Sequence, residues 1–161
     1  MVKDTTETKV EDQKETTKLS YYEAVGRRKE SSTRVRLYVV GESPITVFGM
    51  SLNKGDMIMN KKPIEKYFVG EVAKKMYLEP YRTTNTLNRF VMTATAVGGG
   101  MQGQLAALIH GISRALEKVD KEKFRPILKK RGFMTRDPRA KQRRKAGFAG
   151  KSRARKQSPK R

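Results

Sequence analysis

The sequence predicts an α+β domain followed by a long, extended, basic C-terminal arm. Three observations predict it. Residues 21–48 show the two-residue alternation of short strands. Arg89–Val97 reads as a further strand that runs through three glycines into a long amphipathic helix. The last 33 residues, from Lys129, hold fifteen Lys or Arg against one acid, Asp137, and no Leu or Ile. A segment so charged and so poor in apolar side chains cannot recover its ordering entropy by packing on itself.

Taken in order, residues 1–20 mix Thr with four lysines and five acids and read as a disordered leader. Residues 21–131 form the globular domain, and residues 132–161 the arm. From Tyr21, YYEAVGRRKESSTRVRLYVV reads as two strands joined through Lys29–Ser32. In the second, Val35, Leu37 and Val39 are expected on one face and Arg34, Arg36 and Tyr38 on the other. Gly41–Pro44 turns the chain into a third strand, Ile45–Phe48. Gly49, Asn53, Gly55 and Asp56 then mark turns around a short strand at Met57–Met59. Asn60 is expected to cap a helix over Pro63–Phe68. A second helix is expected over Glu71–Tyr77, ending before Pro80, and RTTNT reads as a loop.

Arg89–Val97, rich in Thr and Val, has the composition of a central strand. The following helix, Met101–Val119, carries Leu105, Leu108, Ile109, Ile112, Leu116 and Val119 at helical spacing, with Gly103, Ala107, His110, Gly111 and Arg114 opposite. Lys121–Arg131 continues as a short basic helix docked by Phe124, Ile127 and Leu128, and Gly132 ends it.

Charge says what kind of partner to expect. The 161 residues carry a formal +21, with a pI near 10.4, and the arm supplies the larger part. That balance points to nucleic acid. The chain has no Cys, which excludes disulfides, thiolate metal sites and a catalytic thiol. No apolar run approaches the ~20 residues that cross a bilayer, and the arm lacks the amphipathic period of a membrane-surface helix. The reading is cytoplasmic, with no membrane partner.

Within the domain, Arg27, Arg28, Lys29, Arg34 and Arg36 gather along one edge of the strand pair, interrupted only by Glu23 and Glu30. They read as a phosphate-facing patch. GGGMQG at Gly98–Gly103 fits G-x-G-x-x-G between a strand and a helix. A dinucleotide site would also need an acid closing a second parallel strand, and Glu117 and Asp120 fall instead at the end of a helix. The Lys-Ser/Thr of a P-loop is missing too. A tight turn presenting free N–H groups to a phosphate fits better, with Gly98, Gly99, Gly100 and Gln102 as its residues. Gly100 is the position where a β-branched side chain is expected to be costly. The lone histidine, His110, has no partner set for metal or proton transfer and reads as a packed or RNA-adjacent helix residue, with Arg114 counted beside it in the RNA-facing set. No nucleophile–base–orienter set is present, so no enzyme, cofactor or metal is expected.

VGRRKESSTRVRLY, NKKPIEKYF, GGGMQGQLAALIHGISRAL, LKKRGFMTRDPRAKQRRKAG and the terminal SPKR occur in that order. Together they resemble the bacterial-type small-ribosomal-subunit protein nine family across residues 21–161. The resemblance implies a two-layer sandwich, a mixed four-stranded sheet with helices on one face, like the second domain of small-subunit ribosomal protein five. It also implies a structural role in translation: docking on small-subunit rRNA in the head, beside neighbouring head proteins, with the arm reaching peptidyl-site tRNA. On that basis Arg136, Arg139, Lys141, Arg143, Arg144, Lys145, Arg153 and Arg155 join the rRNA-binding set, and Lys160 and Arg161 match the tRNA-contacting end. Between Val47 and Asn60 the chain exceeds the family's short hairpin by about ten residues, and the leader lies outside the family pattern. The rival class is an architectural DNA-binding protein with a histone-like tail. A nucleotide-using enzyme built on the glycine turn is a third.

Overall fold

A computed structural model describes residues 20–41 and 43–143. Strand alternation at the start of the domain becomes a hairpin of β1 (Tyr21–Arg28) and β2 (Ser31–Val39). A second, separate hairpin follows, β3 (Ile45–Val47) and β4 (Met50–Leu52). Then come β5 (Met57–Met59), β6 (Lys62–Pro63), and the helices α1 (Ile64–Tyr67) and α2 (Glu71–Thr83). The chain returns through β7 (Phe90–Val97) into α3 (Met101–Val119) and α4 (Lys121–Lys130).

The main sheet runs β1-β2-β7-β5-β6. It is mixed: β5 pairs with β7 in parallel, and every other pair is antiparallel. The sheet has five strands rather than four because two residues of β6 fold back on β5.

Alternation sorts this sheet into two faces. Ala24, Val35, Leu37, Met92, Ala94 and Ala96 pack against Leu105, Leu108, Ile112 and Leu116 of α3, with Tyr77, Tyr81, Phe124 and Leu128 completing the core. On the other face Tyr38, Ile58 and Val91 lie beneath Val47 and Leu52 of the β3–β4 hairpin. The β3–β4 hairpin therefore covers part of the helix-free face.

α3 meets the sheet through its small residues as well as its leucines. A Cβ on Gly26 would stand 1.9 Å from the Ala107 carbonyl oxygen, and one on Gly111 would stand 2.7 Å from Val35 Cγ2. Ala107 and Gly111 are thus buried contacts, where the sequence set them opposite the packed stripe.

Three expectations are corrected by tertiary context. Asn60 does not cap α1. It lies at φ 49° in the β5–β6 turn, its Oδ1 accepts from the Ala96 N–H at 2.9 Å, and its Nδ2 donates to the Ala96 carbonyl at 3.2 Å. The side chain thereby prolongs the pairing of β5 with β7. Pro80 does not end α2, which continues to Thr83. Pro80 is buried, as are Tyr77 and Tyr81, and that burial offsets the one helical hydrogen bond it forfeits. Ile127 turns outward, leaving Phe124 and Leu128 to dock α4.

Candidate nucleic-acid interface

The β1–β2 cations divide between the sheet faces. Arg27, Arg34 and Arg36 stand on the helix-free face, where the register sets Arg34 opposite Val25 and Thr95, and Arg36 opposite Glu23 and Thr93. Glu23 holds both arginines, 2.7 Å from Arg36 Nε and 3.6 Å from Arg34 Nε. The Arg36 guanidinium also lies over the Tyr21 ring, 4.9 Å from its centroid. Arg36 is fixed by these partners and its pKa is raised, first by the Glu23 hydrogen bond; Arg34 remains the more exposed of the two. Lys29 occupies the β1–β2 turn with φ 51°.

Arg28 faces the other way and holds the root of the arm. Its Nη2 meets Asp137 at 2.9 Å, and its Nη1 donates to the Arg139 carbonyl at 2.6 Å. Asp137 also accepts from the Arg139 backbone N–H at 2.9 Å and side chain at 2.7 Å. These bonds from Arg139, with the charge of Arg28, hold the Asp137 carboxyl well below the usual carboxylate range. Upstream, the Gly132 N–H bonds to the Lys129 carbonyl and the Phe133 N–H to the Leu128 carbonyl, a Schellman ending with Gly132 at φ 77°. The chain leaves α4 and is redirected across the end of the β1–β2 hairpin. Arg136, Lys141 and Arg143 are exposed along this segment. Arg144, Lys145, Arg153, Arg155, Lys160 and Arg161 lie outside the described residues, as does the leader through Leu19.

The glycine turn reaches the same end of the domain. Gly98 and Gly99 have φ 73° and 63°, and Cβ atoms there would lie 2.5 Å from the Glu30 carbonyl oxygen and 2.1 Å from Ser31 Oγ. Ser31 Oγ and Gln104 Nε2 both donate to the Gly98 carbonyl at 3.1 Å. Gly100 is different: its backbone is extended, with open space around it. The requirement for glycine therefore sits at Gly98 and Gly99, one and two residues before the position the sequence singled out. Lys29, Lys141, Gln102 and the Gly99–Gly103 backbone line one recess of about 380 Å³.

His110 and Arg114 belong to a stripe on α3 that the sequence reading saw only in part. His110 Nδ1 accepts from the Arg27 N–H at 3.3 Å, Arg114 donates to the Val25 carbonyl at 2.6 Å, and Lys118 donates to the Glu23 carbonyl at 2.7 Å. Four-residue spacing along the helix thus matches the two-residue spacing of outward-facing backbone groups on β1. Burial, and then the Arg114 charge, push the His110 pKa below the ordinary imidazole value. Lys118 carried no motif and was missed; the spacing of 110, 114 and 118 was the one usable signal.

The acids that a nucleotide site would need are engaged elsewhere. Glu117 pairs with Arg125, and Asp120 accepts from the Lys123 N–H to cap α4. Among the described residues no group of three or more acids and histidines could hold a metal ion, and no helix is long and apolar enough to cross a membrane.

Comparison with known proteins identifies the family. The family model for ribosomal protein S9/S16 matches residues 26–161. The small ribosomal subunit protein uS9 of Anaeromyxobacter sp. (strain K) is 43% identical over 126 residues, which cover 78% of this chain and 86% of that protein. Its counterpart from Anaeromyxobacter dehalogenans matches at the same identity and coverage. With the glycine turn, the long helix and the basic arm all inside the matched region, the chain belongs to the ribosomal protein S9/S16 family.

Proposed function

We propose that the chain docks on small-subunit rRNA in the head through the helix-free sheet face and the arm, beside neighbouring head proteins, and that the end of the arm reaches peptidyl-site tRNA. As a family member it is a structural component of the small ribosomal subunit, with a role in translation. The observation that carries the finer reading is the convergence of three features at one end of the domain: the arm root pinned by Arg28, the Lys29 turn, and the start of α3 after the glycines. Unpaired N–H groups at a helix start attract phosphate oxygens, and the two lysines of the recess add charge. Fifteen cations from Lys129 onward then continue along a polyanion.

Reach is sufficient for the second part. The 25 residues from Asp137 to Arg161 span up to ~80 Å when extended, whereas a ~100-residue domain has a radius of gyration near 13 Å. The test is co-sedimentation of the native full chain with small subunits at moderate salt, against its recovery with nuclease-released DNA. Sedimentation with subunits supports the reading; recovery with DNA alone assigns the arm to the architectural class.

A further inference from the structure

The helix-free face of the sheet offers more than charge. Arg27, Arg34, Arg36, Thr93, Thr95 and Phe48 line an open cleft of about 500 Å³, within the ~300–1,000 Å³ range of sites that hold small molecules. Its floor is part apolar, with Val97 68% exposed. The sheet supplies every lining residue except Phe48, which the β3–β4 hairpin brings in from outside.

Phe48 occupies an unusual position. With Gly49 it forms the two-residue turn between β3 and β4, at φ 55° and 75° respectively. Positive φ at both central residues is the geometry ordinarily given to Asn, Asp or Gly, and a residue with a Cβ is disfavoured there. The ring is nevertheless 50% exposed, so core packing does not account for it. Val47 and Leu52 already supply the buried side chains of the hairpin. A large aromatic ring kept in a strained turn, at the rim of a cationic cleft, has the cleft as its remaining use.

We infer that this cleft receives an unpaired RNA nucleotide, its base stacked on Phe48 and its phosphate on Arg34 and Arg27. Arg36, fixed by Glu23 and Tyr21, holds the wall in place. This rests on the reading of the chain as an rRNA-binding protein and names the form of RNA the face takes. Double-stranded RNA presents phosphates but keeps its base faces stacked inside, leaving Phe48 nothing to cover. A single strand offers both phosphate and π-face. An acidic peptide would satisfy the arginines without using the ring.

The chain has no Trp, so Phe48→Trp in the full-length protein places one reporter at the rim. A short mixed-sequence single-stranded RNA is expected to quench its fluorescence, and the same strand annealed to its complement is not. Phe48→Ala is expected to weaken single-strand binding about 5- to 160-fold, the range of one lost base–aromatic stack, with duplex affinity unchanged. Circular dichroism of both variants checks that the fold is intact. Absence of quenching, equal quenching by duplex, or unchanged single-strand affinity of Phe48→Ala overturns the inference. Quenching by an acidic peptide in place of RNA also overturns it, assigning the face to a protein. Wild-type protein that binds neither RNA defeats the rRNA reading itself; wild-type binding without any effect at Phe48 defeats only the cleft.

Discussion

Arg28 and Asp137 join the end of the first strand to the root of the arm, 2.9 Å from Nη2 to Oδ2. Because the same guanidinium also takes the Arg139 carbonyl, the contact fixes the direction of the chain as well as its position. Arg28→Ala is expected to speed amide exchange at Arg139, whose N–H bonds to Asp137, while Tyr21–Leu128 stays protected. Stability should change little, as for other solvent-accessible ion pairs. The Asp137 pKa is lowered on folding, so its contribution is present above the ordinary carboxyl value and lost only as pH falls through the depressed one. The Arg139 amide should therefore keep its protection at pH 4, and loss of protection already at pH 5 would contradict the contact.

His110 titrates with the opposite consequence for mild acid. Its pKa is lowered by burial and by Arg114 from the 6.5 of a free imidazole. Below that value the unfolded chain takes up a proton that the folded one refuses, so stability falls as pH drops from 7 toward 5. His110→Asn, which keeps an acceptor for the Arg27 N–H, should flatten that part of the urea-unfolding profile. An unaltered profile would mean the imidazole does not set it.

The glycine turn makes a positional prediction. Gly99→Ala should cost ~1–2 kcal/mol for a left-handed backbone, plus about 1–3 kcal/mol for overpacking against Ser31. Gly100→Ala, with extended backbone and open space, should fall within about 0.5 kcal/mol of wild type. Denaturant midpoints of the two variants decide between them.

Salt dependence separates arm from sheet. Log K for rRNA should fall steeply with log salt, by about 0.7–0.9 per phosphate neutralised. Ending the chain at Gly132 should flatten the slope sharply. An unchanged slope would place the binding on Arg27, Arg34 and Arg36 alone.

Deleting Lys160 and Arg161 should leave folding and subunit incorporation near normal, because the remaining arm cations lie before them. The tRNA off-rate from purified subunits should rise modestly, as exposed charge contacts are each worth about 1 kcal/mol or less. An unchanged off-rate, or failed assembly, would remove the tip's proposed role.

Local signals carried most of the fold. α3 has the bounds its spacing predicts, and β7 begins one residue later than its Thr–Val run suggests. The misreadings arose where distant residues outbid local ones. Asn60 caps no helix because β7 offers it two backbone partners, and Pro80 ends no helix because it sits on the buried side of α2. Val39 lies beyond the cover of the helices at 55% exposure, while Tyr38 is buried by a hairpin that sequence spacing could not fold back onto the sheet. The basic patch was legible as composition but not as geometry: alternation sends Arg27 and Arg28 to opposite faces, and only the distant Asp137 explains why Arg28 is needed where it is.

The α3 stripe of His110, Arg114 and Lys118 has a consequence for the chain before it meets RNA. β1 is the outermost strand on its side of the sheet, and its outward Arg27 N–H and Val25 and Glu23 carbonyls are already taken. An incoming strand from a second copy would have to displace all three partners and meet two cations on the way. That edge is thereby closed to template-driven self-association.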